Sequence, residues 1–224
     1  MNELIVRNAG TFQPKSIGDF IGKNVIERQS GDMTGAYLVA VQLEKAVRLS
    51  NQNGRTPLKF LFNGHPGIGK SDLVKFLQHL LGCDKWSYTK LNGTQCKMEK
   101  VEEIAATLHY RSLFSDWRML WIDEADQIPN VAQVRFLTLL DDLPSGVAVA
   151  CTSNCKLEEF EKRFQTRFQA FELASPPPEE IETFLNRICP EINGASRQIA
   201  TFACGNVRQA LLDAQGALQQ LMPG

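Results

Sequence analysis

The sequence predicts an α/β fold: a five-stranded parallel sheet covered by helices, followed by a small all-helical domain. Three observations carry that prediction. Short apolar runs bounded by Gly, Asn or Ser alternate with longer stretches of helical period, as in a parallel sheet with helices on its faces. Three consecutive prolines, Pro176, Pro177 and Pro178, then interrupt the chain. Beyond them the apolar residues recur only at three- and four-residue intervals, and no strand candidate remains.

Taken in order, an amphipathic helix is expected from about Met33 to Leu49, ahead of the first strand, Leu58 to Phe62. Ser71 to Leu81 fits a helix, and Ser87 to Leu91 a second strand. Val101 to Phe114 is the next helical stretch, before a third strand at Met119 to Ile122. Val131 to Leu140 returns to helical spacing, and the runs Val147 to Cys151 and Phe168 to Leu173 complete the five strands. The helical remainder reads Glu179 to Ile188, Ala195 to Phe202 and Val207 to Leu221. The division expected is 1–174 for the large domain and 175–224 for the helical lid, which is too small to bury much alone and must lean on its neighbour.

Composition narrows the function. With 24 Lys and Arg against 25 Asp and Glu in 224 residues, the net charge is -1. Such a chain lacks the basic excess of proteins that wrap nucleic acid, so any DNA contact must come from a local patch or from several subunits together. Six cysteines, at 83, 96, 151, 155, 189 and 204, show no C-x-x-C spacing and read as reduced thiols rather than a zinc site. The first ten residues carry no basic-then-apolar signal, and no apolar run approaches the ~18 residues of a membrane span. A cytoplasmic protein without a membrane segment is expected.

The most specific motif is Gly64-His65-Pro66-Gly67-Ile68-Gly69-Lys70-Ser71, which satisfies G-x-x-x-x-G-K-[ST] between an apolar strand and an apolar-periodic helix. Glycines let the backbone curl so that its N–H groups face phosphate oxygens, and the following helix adds its positive dipole end. Lys70 is placed to reach the β- and γ-phosphates of ATP, and the Ser71 hydroxyl to ligate Mg²⁺. The apolar strand Met119 to Ile122, preceded by Arg118, delivers Asp123 and Glu124 at its C-terminal tip, the edge at which ligands of open α/β sheets bind. Asp123 suits a metal's ligand shell, and Glu124 can orient and deprotonate an attacking water. Asn154, three residues past the strand ending at Cys151, can hold that water or sense the γ-phosphate; a plain polar cap is the alternative, and Thr152 and Ser153 are alternative candidates.

These motifs resemble those of the AAA+ superfamily, and within it most closely the ATPase subunits of sliding-clamp loaders, such as the small subunit of replication factor C and the gamma-like subunit of DNA polymerase III. The resemblance covers nearly the whole chain. Phe12 to Gly22 is similar to the family's N-terminal segment, implying that the Ile21-Gly22 pair packs against adenine. Leu91-Asn92-Gly93-Thr94 resembles the strand end where an Asn holds the catalytic Glu in reserve. The run Asp123 to Asp126, followed by Ala132-Gln133, matches in register, and Asn154 falls on the first sensor. Gln165-Thr166-Arg167-Phe168 stands where the family has Ser-Arg-Cys, which implies an arginine finger at Arg167 acting on a neighbour's γ-phosphate. Gly205 to Ala210 resembles the second sensor and puts Arg208 on the phosphates of its own subunit. The resemblance implies an ATP-hydrolysing, Mg²⁺-dependent oligomer of AAA+ subunits working on DNA and a DNA-bound partner such as a sliding clamp. A helicase-loader or transposition-regulator type is the related alternative; a weakly hydrolysing scaffold is the distant one, opposed by an intact Glu124. Three departures stand out: Leu137 and Thr138 occupy the family's paired arginine positions, with Arg135 two residues earlier; the zinc-binding cysteine cluster of the bacterial type is missing; and these 224 residues reach only to the expected lid, with no collar segment among them.

Overall fold

The computed structural model describes residues 14–23, 26–27, 33–110, 112 and 115–221. Five parallel strands form the sheet: β3 (Leu58–Gly64), β4 (Tyr88–Asn92), β5 (Arg118–Asp123), β6 (Val147–Ser153) and β7 (Gln169–Leu173). Two strands of two residues each, β1 (Ile26–Glu27) and β2 (Met33–Thr34), extend its edge, giving the order β1-β2-β7-β3-β6-β5-β4. Only the β1–β2 pair is antiparallel. The eight helices described are α1 (Ala36–Gln52), α2 (Lys70–Leu80), α3 (Met98–Leu108), α4 (Asn130–Asp141), the single turn α5 (Lys162–Gln165), α6 (Pro178–Ile188), α7 (Asn193–Phe202) and α8 (Val207–Leu221).

Side chains alternate across the pleat, so the central strands are apolar on both faces. Phe60, Phe62, Met119, Trp121, Ala148, Ala150 and Phe171 turn toward α1 and α2, where Leu43, Leu73 and Leu77 are fully buried. Phe62 stacks on Phe171 across the β3–β7 pair, centroids 5.8 Å apart. Leu61, Leu120, Ile122, Val149 and Cys151 face the other way, onto Ile104, Phe136 and Leu140 of α3 and α4. The helices after the prolines bury a cluster of their own, centred on Ile181, Leu185, Ile188, Ala200 and Ala214, and Ile21 from the N-terminal segment packs against it.

Two of the boundaries that differ from those the periodicity predicts have a visible structural cause. Met33 and Thr34, expected in the first helix, extend the sheet beside β7; the helix begins after Gly35, whose extended backbone breaks the turn. A Cβ at Gly35 would fall on the carbonyl oxygen of Gly22, and the Tyr37 N–H donates to Ile21 O at 2.9 Å. Close backbone contact, which periodicity does not record, therefore fixes this boundary. The helix expected to run to Phe114 ends at Leu108, where the Arg118 Nη1 donates to the Thr107 carbonyl and caps the terminal turn. Phe114 lies outside the described residues, as do Phe12 and Gln13 of the N-terminal segment.

Candidate functional site

Because the strands run parallel, the ends of β3, β4, β5 and β6 lie along one edge, and the chemistry-bearing residues of four separated segments meet there. A cavity of about 590 Å³ opens at this edge; Pro66, Gly67, Gly69, Lys70, Ser71, Asp123, Glu124, Thr152, Asn154, Arg208 and Leu211 are among its lining. The loop from β3 to α2 curls through Gly64, Gly67 and Gly69, with φ of 137°, 80° and 101°. Any side chain with a Cβ is strained at such angles, so the glycines are what shape the cradle. Gly69 is the residue preceding α2, whose N-terminus therefore faces the cavity with Lys70 in its first position.

Lys70 is buried, and its ammonium donates to Gly64 O at 2.6 Å, His65 O at 2.8 Å and Asn154 Oδ1 at 2.9 Å. Desolvation first, and the nearby Arg208 second, lower its pKa to about 8 against the opposing pull of Asp123 and Asp126. Arg208 reaches the cavity because its own backbone N–H donates to Gly67 O at 3.1 Å, seating the start of α8 on the loop. Asn206 closes the same junction: a Cβ on Gly67 would collide with its side-chain amide.

The carboxylates opposite are each held. Asp123 accepts the Thr152 hydroxyl at 2.5 Å on one oxygen and pairs with Lys90 Nζ at 2.9 Å on the other. Glu124 accepts from Asn92 Nδ2 at 2.8 Å. Its backbone is left-handed, φ 55°, and the turn is crowded on one side by Gly93, where a Cβ would fall on the Glu124 carbonyl oxygen. Non-glycine residues adopt that conformation at a cost, and such strain gathers at functional sites. Asp126 accepts the Ser153 hydroxyl at 2.7 Å.

A small apolar slot adjoins the main cavity, the two sharing Gly69, Asp72, Val207 and Leu211; Phe20, Ile21, Ala36, Ile68 and Phe184 line it. Gly22, next to Ile21, donates its N–H to Glu180 Oε2 at 2.7 Å. Among the expected site residues, Arg167 alone lies away from this region. It follows α5, and its guanidinium forks onto Asp141 of α4, Nε to Oδ1 at 2.8 Å and Nη2 to Oδ2 at 2.7 Å. Lys90 and Glu180 are site neighbours that motif and spacing do not disclose. A cation at a polar strand position two residues before Asn92 is the available signal for the first; nothing local marks the second, which acts across 158 positions.

The donor set fits a polyphosphate with a hard divalent cation. Two cations, Lys70 and Arg208, share one wall close enough for Arg208 to depress the lysine pKa, a repulsion that an anion relieves. Hydroxyl and carboxylate oxygens of Ser71 and Asp123 suit Mg²⁺. No group of three or more His, Cys, Asp or Glu side chains among the described residues is arranged to hold a metal ion by itself. None of the described helices is long and apolar enough to cross a membrane.

A glycine-cradled helix start facing a strand-tip Asp-Glu pair, in a parallel sheet, defines a P-loop nucleotide-binding protein. The model of the ATPase family associated with various cellular activities (AAA) matches residues 60–175, half of the chain, and the chain belongs to this family. Among curated proteins it is 28% identical over 140 residues to the Holliday junction branch migration complex subunit RuvB of Nocardia farcinica, and 29% identical over 140 residues to that of Rhodococcus erythropolis. Each alignment covers 62% of this chain and about a third of the relative, 33% and 32%. Two variants of RuvB from Thermotoga maritima share the fold, with TM-scores of 0.70 and 0.69 at 17% and 16% identity, covering 93% of this chain and 72% of theirs.

Lys70 supplies a pH test. An anion on its ammonium raises the pKa from about 8, so ATP binding between pH 8 and 9 should take up a fraction of a proton, falling toward zero below pH 7, where the lysine is already charged. Calorimetric titration in buffers of different ionisation enthalpy measures this; uptake that stays constant from pH 6.5 to 9 would rule it out.

Proposed function

We propose that this chain is the ATP-binding and ATP-hydrolysing subunit of an oligomeric machine acting on DNA or on a DNA-bound partner. The observation carrying the reading is the convergence of Lys70, Ser71, Asp123, Glu124, Asn154 and Arg208 on one cavity. The polyphosphate would lie along the Gly64–Ser71 loop, taking over the Lys70 ammonium from the carbonyls and amide it now contacts. Adenine would occupy the apolar slot beside Ile21 and Gly22. Bound Mg²⁺, held through Ser71 and Asp123, would neutralise charge on the β- and γ-phosphates.

Glu124, once free of Asn92, would orient a water in line with the γ-phosphorus and take its proton as the new P–O bond forms and the bridge to ADP breaks. Asn154 would exchange the lysine for that water or a γ-oxygen. Arg208 would tie α8, and with it a lid spanning 175–224, to the phosphate state of a core spanning 1–174. Arg167 would leave Asp141 and reach the nucleotide of an adjoining subunit. It is suited to that exchange because its present partner is a half-exposed carboxylate on the surface.

Two refinements compete. The similarity to RuvB speaks for branch migration. The run Asp123 to Asp126 with Ala132-Gln133, and the Asn92–Glu124 hydrogen bond, speak for a clamp-loader-like subunit whose glutamate is released by a partner. Steady-state hydrolysis separates them: stimulation by a four-way DNA junction without other proteins supports the first, and stimulation that needs a primed template together with a sliding clamp supports the second.

The site assignment predicts that Lys70→Ala loses tight ATP binding, while Glu124→Gln keeps it and slows single-turnover hydrolysis by at least ~10²-fold. A Glu124→Gln protein that turns over like the parent would move the base elsewhere.

For Arg167 the expectation is complementation. Arg167→Ala and Lys70→Ala are each expected to be inactive by ~10³-fold or more, and mixing them should restore part of the activity, since a competent pocket then meets a competent finger. Mixtures that stay inactive where oligomers are seen by light scattering would exclude a role in trans.

A further inference from the structure

Lys90 belongs to the edge strand β4 and stands directly opposite Trp121 of β5 in the parallel register. Lysines on edge strands ordinarily point into solvent, where they discourage edge-to-edge pairing. This one folds back. Its ammonium lies 3.7 Å from the centroid of the Trp121 ring and 2.9 Å from Asp123 Oδ2, two residues further along β5. With Thr152 on Oδ1, both oxygens of Asp123 are engaged within the chain. The lysine side chain remains 44% exposed, so it can swing into water without opening the fold.

We propose that Lys90 is a built-in counter-ion for Asp123: it occupies the carboxylate while no divalent cation is bound, opposes the entry of one, and so sets the free Mg²⁺ concentration at which the site retains nucleotide. The inference rests on the nucleotide-binding function proposed for this site and adds a residue to it. An ammonium and a dication cannot share one carboxylate oxygen without repulsion, and at a half-exposed position that repulsion is a modest quantity, of the size that tunes a midpoint rather than abolishes binding. The aromatic face beneath the ammonium adds a cation–π attraction that favours the metal-free position. It also supplies an optical reporter, because moving a charge off an indole changes its emission.

The test uses the full chain and a non-hydrolysable ATP analogue, so that turnover plays no part. Free Mg²⁺ is titrated while the dissociation rate of a fluorescent form of the analogue is followed. Lys90→Met keeps the stem over Trp121 and removes the charge; its midpoint should fall about 3- to 10-fold below the parent's. Lys90→Arg restores the charge and should raise the midpoint back above that of Lys90→Met. With the unlabelled analogue, Mg²⁺ should produce a step in tryptophan emission that is present in the parent and absent from both Lys90→Met and Trp121→Phe. A Lys90→Met midpoint equal to the parent's overturns the proposal. So does a higher one, which would make Lys90 an aid to orienting Asp123 for the metal, and so does an emission step that survives in Lys90→Met. A parent that fails to bind the analogue overturns the nucleotide-binding function itself and the Lys90 role with it, whereas a parent that holds it equally with and without Mg²⁺ overturns the Lys90 role alone.

Discussion

The parallel direction of β3, β4, β5 and β6 is the constraint on which the site depends. Strands that all end at one edge must deliver their last residues to one line in space, whatever the intervening helices do. Gly64, Asn92, Asp123 and Ser153 are distant in the chain, yet the register sets Asn92 beside Asp123 and Asn63 beside Ser153. Burial on both faces holds that register: a slip of one residue would turn Phe60, Phe62 and Trp121 onto the opposite face and replace one packed core with mismatched halves. Packing far from the edge thereby fixes chemistry at it.

Four charged groups that the proposed function uses are parked on partners within the chain. Lys70 rests on two carbonyls and Asn154, Asp123 on Thr152 and Lys90, Glu124 on Asn92, and Arg167 on Asp141. Desolvated groups need such partners, because a buried charge left alone is costly. In the proposed function each of these pairings would open in favour of polyphosphate, metal, water or a neighbouring subunit.

Much of this is legible in the sequence because its signals are local. The glycine spacing of the loop, the apolar run before it and the carboxylate pair at Asp123 and Glu124 each lie within ten residues. All five main strands fall where apolar runs predict them, within two residues at either end. The features that escape such a reading depend on contacts between distant segments. The first helix starts late because Gly35 meets Gly22 backbone to backbone, and the third stops early because Arg118 caps it. Lys90 looks like any polar residue of an alternating strand until the register sets it opposite Trp121. Glu180 reads as a helix-starting acid, and its bond to Gly22 is invisible to any window of fixed length.

The apolar slot beside the main cavity belongs to no single stretch of chain. One wall is Phe20 and Ile21, a second Ala36 and Ile68, a third Phe184, Val207 and Leu211, and the Glu180 carboxylate clasps the backbone of Gly22 and Lys23 alongside. In the proposed function, adenine in this slot would bear on segments from both sides of the prolines, so its fit would depend on the tilt of the helices that follow them. Affinity for the ring and the angle of those helices would then be one mechanical variable, with force on either felt by the other.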